Sequence, residues 1–171
     1  MRRLYLLRHA KSSWDDPALD DHERPLAPRG KRATKLMRKH LREERVEPGL
    51  ALSSSAERAV QTLAGVRAGL PEATPTEIES SLYTFSATSL LSAVRRLDPG
   101  LRSVLVVGHN PAMQDLTLEL AGDGVDLVTV ARKFPTCALA TLDFAGDWSE
   151  LDSGVAALSA FVRPKDLKSA D

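Results

Sequence analysis

Short apolar runs that stop abruptly at polar residues, alternating with stretches of helical periodicity, constrain the fold of this chain more than any other feature. Residues 4–7, Leu-Tyr-Leu-Leu, form the first run and end at Arg8-His9. A run of that length without polar alternation suits a strand buried on both faces of a parallel sheet. Leu50-Ala51-Leu52-Ser53-Ser54 reads as a second strand, residues 76–78 as a weaker one, and residues 103–107 as the strongest. The intervening segments repeat at helical spacing. After Pro28, Ala33, Leu36, Met37, His40 and Leu41 share one face, and Arg32, Lys35, Arg38, Lys39 and Arg42 the other. Ala56, Ala59, Leu63, Val66 and Leu70 mark a second helix, stopped by Pro71. Leu90, Leu91, Val94 and Leu97 mark a third, and Met113, Leu116 and Leu120 a fourth.

Strands alternating with helices imply right-handed crossovers and helices on both faces of the sheet. The tail breaks the pattern: residues 138–144 and 155–162 flank Gly146-Asp147 and read as neighbouring antiparallel strands. The expected architecture is α/β, a single three-layer α/β/α domain over residues 1–171 with a mainly parallel sheet and an antiparallel C-terminal edge hairpin. The length, 171 residues, suits one core. Residues 10–27 are polar and broken by Pro17 and Pro25, so they read as a long loop.

Composition narrows the function. Lys/Arg and Asp/Glu number 23 each, which argues against a nucleic-acid-coating role. The charge is uneven, however: residues 1–45 hold 13 basic and 7 acidic residues, so one end of the molecule favours an anion. The lone Cys137 allows neither an internal disulfide nor a Cys-rich zinc site. Arg8 and Lys11 interrupt the N-terminal apolar run, and no stretch approaches membrane-span length, so a cytoplasmic protein is the expectation.

Open α/β sheets bind ligands beyond the carboxyl ends of their strands. Three expected strands end in polar residues: Arg8-His9, Ser53-Ser54-Ser55 with Arg58 one helical turn on, and Gly108-His109-Asn110-Pro111. Two arginines and two histidines would meet at one rim. Arg grips phosphate oxygens bidentately with a fixed charge. A phosphoryl group in transfer spreads charge over three oxygens, which several convergent donors stabilise. Histidine, with a reference pKa of about 6.5, is largely neutral and nucleophilic at pH 7. Ser53 to Ser55 lack a Gly-x-Ser-x-Gly elbow and are expected to cap the following helix. His40 reads as structural and His22 as an exposed loop residue.

These motifs carry a resemblance to a known family. Leu7-Arg8-His9-Ala10 resembles the signature of the histidine phosphatase superfamily, in most of which Gly follows the His. Ser53-Ser54-Ser55-Ala56-Glu57-Arg58-Ala59-Val60-Gln61-Thr62 is similar to its second motif and Gly108-His109-Asn110-Pro111 to its third. Arg24-Pro25-Leu26, Gly30, Lys133-Phe134-Pro135-Thr136 and the Pro164-Lys165 ending resemble the SixA-type phosphohistidine phosphatase branch. The resemblance implies that His9 is the nucleophile, that Arg8 and Arg58 hold phosphoryl oxygens, and that His109, protonated beside an anion, donates to them. Arg24 would add a substrate contact from the loop, and Glu79 would be the possible general acid. No metal or other cofactor is implied, since arginines supply the charge stabilisation. The implied partner is a phosphohistidine-bearing protein or a small phosphorylated metabolite. The alternatives are a small-molecule phosphatase or mutase on the same site, a non-catalytic phosphoprotein-binding module, and a metal hydrolase using His9 and His109.

Overall fold

In a computed structural model, which describes residues 1–167, the alternation becomes one sheet with helices on both sides. The elements are β1 (Arg2–Arg8), α1 (Pro28–Glu43), β2 (Leu50–Ser54), α2 (Glu57–Val66), β3 (Thr76–Glu79), α3 (Ala87–Arg95), β4 (Ser103–Gly108), α4 (Ala112–Leu120), β5 (Ala121–Gly124), α5 (Leu127–Arg132), β6 (Leu139–Phe144) and β7 (Ala156–Val162). The strand order is β3-β2-β4-β1-β6-β7-β5. β6 pairs antiparallel with both β1 and β7, and every other pairing is parallel.

Alternation along the central strands separates two cores. Leu4 and Leu6 of β1, with Val104 and Val106 of β4, pack against α3, α4 and Trp148 on one face. Tyr5 and Leu7, with Leu105 and Val107, pack against Met37 and Leu41 of α1 and Leu63 and Val66 of α2 on the other. Both faces of these strands are buried, which is why they read as unbroken apolar runs.

The expected α/β/α architecture is found, with two elements the sequence did not announce. The C-terminal hairpin lies toward one margin, but β5 covers its outer strand, and α5 follows. β5 reads Ala-Gly-Asp-Gly, a composition depleted in strands. Its glycines are explained by proximity: a Cβ on Gly122 would lie 2.4 Å from the Gly154 carbonyl oxygen, and one on Gly124 2.3 Å from that of Leu158. The helix-cap expectation is corrected. Residue Ala56 caps α2 without a side-chain bond, and Ser54 Oγ reaches the Ala56 N–H, at 3.2 Å, but none of the first-turn N–H groups. Among the described residues no helix is long and apolar enough to cross a membrane.

The segment between β1 and α1 folds back on itself. Ser12 bridges Leu26, the Ser13 N–H donates to the Pro25 carbonyl at 2.8 Å, and the Ala27 N–H to that of Lys11 at 2.9 Å. A short turn over Asp21–Glu23 forms its tip. Gln61 of α2 accepts from the Leu26 N–H at 2.8 Å and ties the excursion to the body.

Candidate active site

The parallel arrangement brings the ends of β1, β2 and β4 to one rim, and with them Arg8, His9, Ser54 and His109; α2 adds Arg58 from its first turn. The rings of His9 and His109 lie 5.2 Å apart between centroids. Both are buried, as is Arg58.

His9 is held in a definite state. Its Nδ1 lies 2.7 Å from the Ala10 carbonyl, so Nδ1 carries the proton and Nε2 keeps its lone pair. Burial is the largest influence on its pKa. The Ala10 hydrogen bond opposes it, and the charges of Arg58, Arg8 and Arg24 add to it, with a net fall from 6.5 to about 4. The backbone is fixed too. The Ala10 N–H donates to Thr62 Oγ1 at 2.9 Å, and that hydroxyl donates to the Arg58 carbonyl at 2.7 Å. Arg58, Gln61 and Thr62 therefore share one face of α2, where they line the site, hold the loop and hold the strand end respectively.

Arg8 is only half satisfied. Its Nη1 donates to the Phe134 carbonyl at 2.8 Å, while Nε is buried without a hydrogen-bond partner. Burial and the nearby Arg58 lower its pKa. A half-buried cation with a buried free donor and no carboxylate within ion-pair range among the described residues is an arrangement that an anion relieves. Asn110 donates to the same Phe134 carbonyl at 3.2 Å and so helps aim Arg8.

Arg58 is engaged by the loop. Its Nη1 donates to the Asp21 carbonyl at 2.7 Å and its Nη2 to Asp21 Oδ2 at 3.0 Å. Tyr83 donates to Oδ2 at 2.6 Å, and Arg24 Nη1 to Oδ1 at 3.0 Å. Partial burial works against ionisation of Asp21, but the hydrogen bonds from Tyr83 and Arg58, with the charges of Arg58 and Arg24, hold its carboxyl at about 2. Arg24 is buried and committed to the loop. It donates to the Ser13 carbonyl and to Ser12 Oγ, and its guanidinium stacks on Trp14. The structure thus brings Arg24 to the cluster through Asp21, in a loop-holding geometry rather than an open one.

His109 is neutral in this geometry. Its Nε2 lies 2.7 Å from Ser54 Oγ, and Nδ1 accepts from Arg58 Nη2 at 3.4 Å. Burial, then the neighbouring His9 and Arg58, lower its pKa to about 3, so the ring is neutral with the proton on Nε2. Tyr83 and Phe85 pack edge-on against it, with centroids 5.4 and 5.5 Å away. His22 is exposed as expected, bonded to Ser55 and packed on Tyr83.

Glu79 is not brought into this cluster. It stands level with Ser54 on β3, exposed, in a separate groove of about 490 Å³ with Leu52 and Leu97, and it bonds to none of the site residues. Sequence reasoning missed Asp21, Tyr83 and Ser54. The signal for Asp21 was its place three residues before Arg24, but only the folded loop carries it to Arg58. Among the described residues, no three His, Cys, Asp or Glu side chains are grouped to hold a metal ion.

This geometry has known counterparts. Residues 4–86 match the histidine phosphatase superfamily, branch 1. An uncharacterized Mycobacterium tuberculosis protein is 37% identical over 165 residues, covering 93% of this chain and all of that one. The phosphohistidine phosphatase SixA of Escherichia coli is 30% identical over 148 residues, covering 85% of this chain and 88% of that protein. A solved structure from Agrobacterium tumefaciens, a candidate phosphohistidine phosphatase SixA, superposes with a TM-score of 0.81 at 30% identity, over 95% of this chain and 98% of that one.

Proposed function

The chain belongs to the histidine phosphatase superfamily, and from that membership we propose a metal-independent phosphatase that works through a phospho-His9 intermediate, with protein phosphohistidine as substrate. The observation that carries this reading is the pairing of a neutral His9, its Nε2 lone pair free, with the half-buried guanidinium of Arg8, whose buried Nε has no partner. A neutral imidazole can attack phosphorus without first losing a proton. Arg8 and Arg58 then hold the equatorial oxygens. The P–N bond to the substrate's imidazole breaks as the bond to His9 Nε2 forms, and that imidazole leaves carrying its own proton. Water attacks phospho-His9 in the second step, releasing inorganic phosphate and restoring the neutral ring.

The carboxylates favour phosphohistidine over an ester. An alkoxide leaving group needs a proton from a positioned acid. Asp21 is held ionised at about 2, and Glu79 bonds to none of the cluster. A leaving imidazole makes no such demand. Tyr83 and the exposed Phe85 offer edges and faces against which an aromatic leaving group can pack.

The test is phosphate release from a phosphohistidine peptide with chelator present, comparing wild type with His9→Ala. Release by wild type alone is expected. Release by both would sink the proposed chemistry. Release by neither, with turnover of a phosphate ester, would move the substrate to small phosphomonoesters, and tight phosphoprotein binding without any turnover would make the protein a binding module.

A further inference from the structure

A second cationic feature lies beside the site and takes no part in the chemistry above. Lys11, Arg29, Arg132, Lys133, Arg163 and Lys165 line a groove of about 360 Å³. The groove lies at the end of the sheet that carries His9. Lys11 follows His9 by two residues. The loop before β6 wraps the end of β1, with the Cys137 N–H donating to the carbonyls of both Arg8 and His9 at 3.0 Å. β7 runs parallel to β1 through β6 and delivers Arg163 to the same side.

Among the described residues most of this charge is unpaired. Among the described residues only Arg163 of the six has an ion-pair partner, Asp166, with Asp126 acting on it through space. Arg29 sits in the first turn of α1, where no acidic residue stands and where a cation opposes the helix dipole. Stability does not explain that placement.

The form of the groove identifies its ligand. A pocket for one phosphate brings donors withdrawn from solvent to a point, as the half-buried Arg8 and the buried Arg58 do. Here five of the six cations are exposed, on four segments of chain that line one groove. Such a set of exposed, separately held cations suits several carboxylates rather than one phosphate. We propose that this groove is a docking site for the acidic residues that flank the phosphorylated side chain of a polypeptide substrate. The inference rests on the phosphohistidine reading of the site and names the class of protein it acts on: one whose phosphorylated residue lies beside an acidic stretch.

The test uses the whole protein and the triple variant Arg29→Ser, Arg132→Ser, Lys165→Ser, none of which touches His9, Arg8, Arg58 or His109. Two fluorescein-labelled peptides carry a central histidine, one flanked by aspartates and glutamates and the other by serines and glutamines. Fluorescence anisotropy at low salt is expected to give about tenfold tighter binding of the acidic peptide, an advantage that shrinks with salt and largely disappears in the variant. Equal binding of the two peptides by wild type, or unchanged acidic-peptide binding by the variant, would overturn the proposal. Hydrolysis of the phosphorylated peptides should show the same preference in kcat/KM. Binding discrimination without hydrolysis of either would retain the acidic-polypeptide groove and overturn the phosphohistidine reading instead.

Discussion

At the scale of single residues, Asp21 sets the terms on which a phosphoryl group enters. Its carboxylate takes hydrogen bonds from Arg58, Arg24 and Tyr83, and the first of these guanidinium groups would otherwise face an incoming oxyanion. An arriving phosphoryl dianion must share Arg58 with it or displace it. Asp21→Asn keeps the shape of the side chain and removes the competing charge. Inhibition by orthovanadate should then tighten by roughly three- to tenfold, measured as an inhibition constant against a small phosphate ester. Weaker inhibition would mean that the carboxylate's role is to aim Arg58 at the substrate. Arg58 also sets the state of His109: its guanidinium can only donate, so Nδ1 accepts and the ring's proton sits on Nε2, where Ser54 Oγ accepts it.

Among the secondary-structure elements, α1 is positioned by a near-contact with the strand end that carries His9. A Cβ at Gly30 would lie 2.2 Å from the Lys11 carbonyl oxygen, a backbone atom that cannot step aside. Gly30→Ala should therefore cost about 1–3 kcal/mol in urea unfolding and lower turnover as well, because Lys11 is two residues from the nucleophile. Loss of stability with full activity would show that the strand end is held independently of α1. The same scale explains what could be read in advance. β1, β2 and β4 are buried on both faces, so their apolar runs and polar ends announce both the sheet and Arg8, His9, Arg58 and His109. β5 reads Ala-Gly-Asp-Gly, and its glycines permit backbone approach rather than pack side chains, so no pattern marks it. Asp21 and Tyr83 sit on turns whose place depends on the folded loop and on the packing of the short turn, Ser80–Leu82, that follows β3, and neither lies in a periodic segment.

For the molecule as a whole, the burial that prepares His9 for attack also makes the fold sensitive to acid. His9 and His109 have pKa values near 4 and 3 in the folded chain, against 6.5 ordinarily, with burial the main cause in each. The folded values are depressed, so the unfolded chain binds more protons across this interval. Stability is complete above pH 6.5 and is lost as pH falls toward 4. Each unit of depression is worth about 1.4 kcal/mol. Because the rings lie 5.2 Å apart, the proton taken up by one opposes uptake by the other, and the pair titrates jointly. Asp21 does not offset this loss, because its stabilisation persists until pH falls below 3.8. Urea unfolding should therefore show a drop of roughly 2–5 kcal/mol between pH 7 and about 4.5. His9→Asn, with no titrating ring, should remove about half of that drop. A flat profile would mean that the rings are solvated and His9 is an ordinary surface base. Saturating tungstate should shrink the drop as well, since a bound anion beside Arg8 and Arg58 offsets the cationic field that, with burial, keeps both histidines neutral. The acid sensitivity and the readiness for phosphoryl transfer thus have one origin, a cationic pocket out of water with neutral imidazoles at its centre.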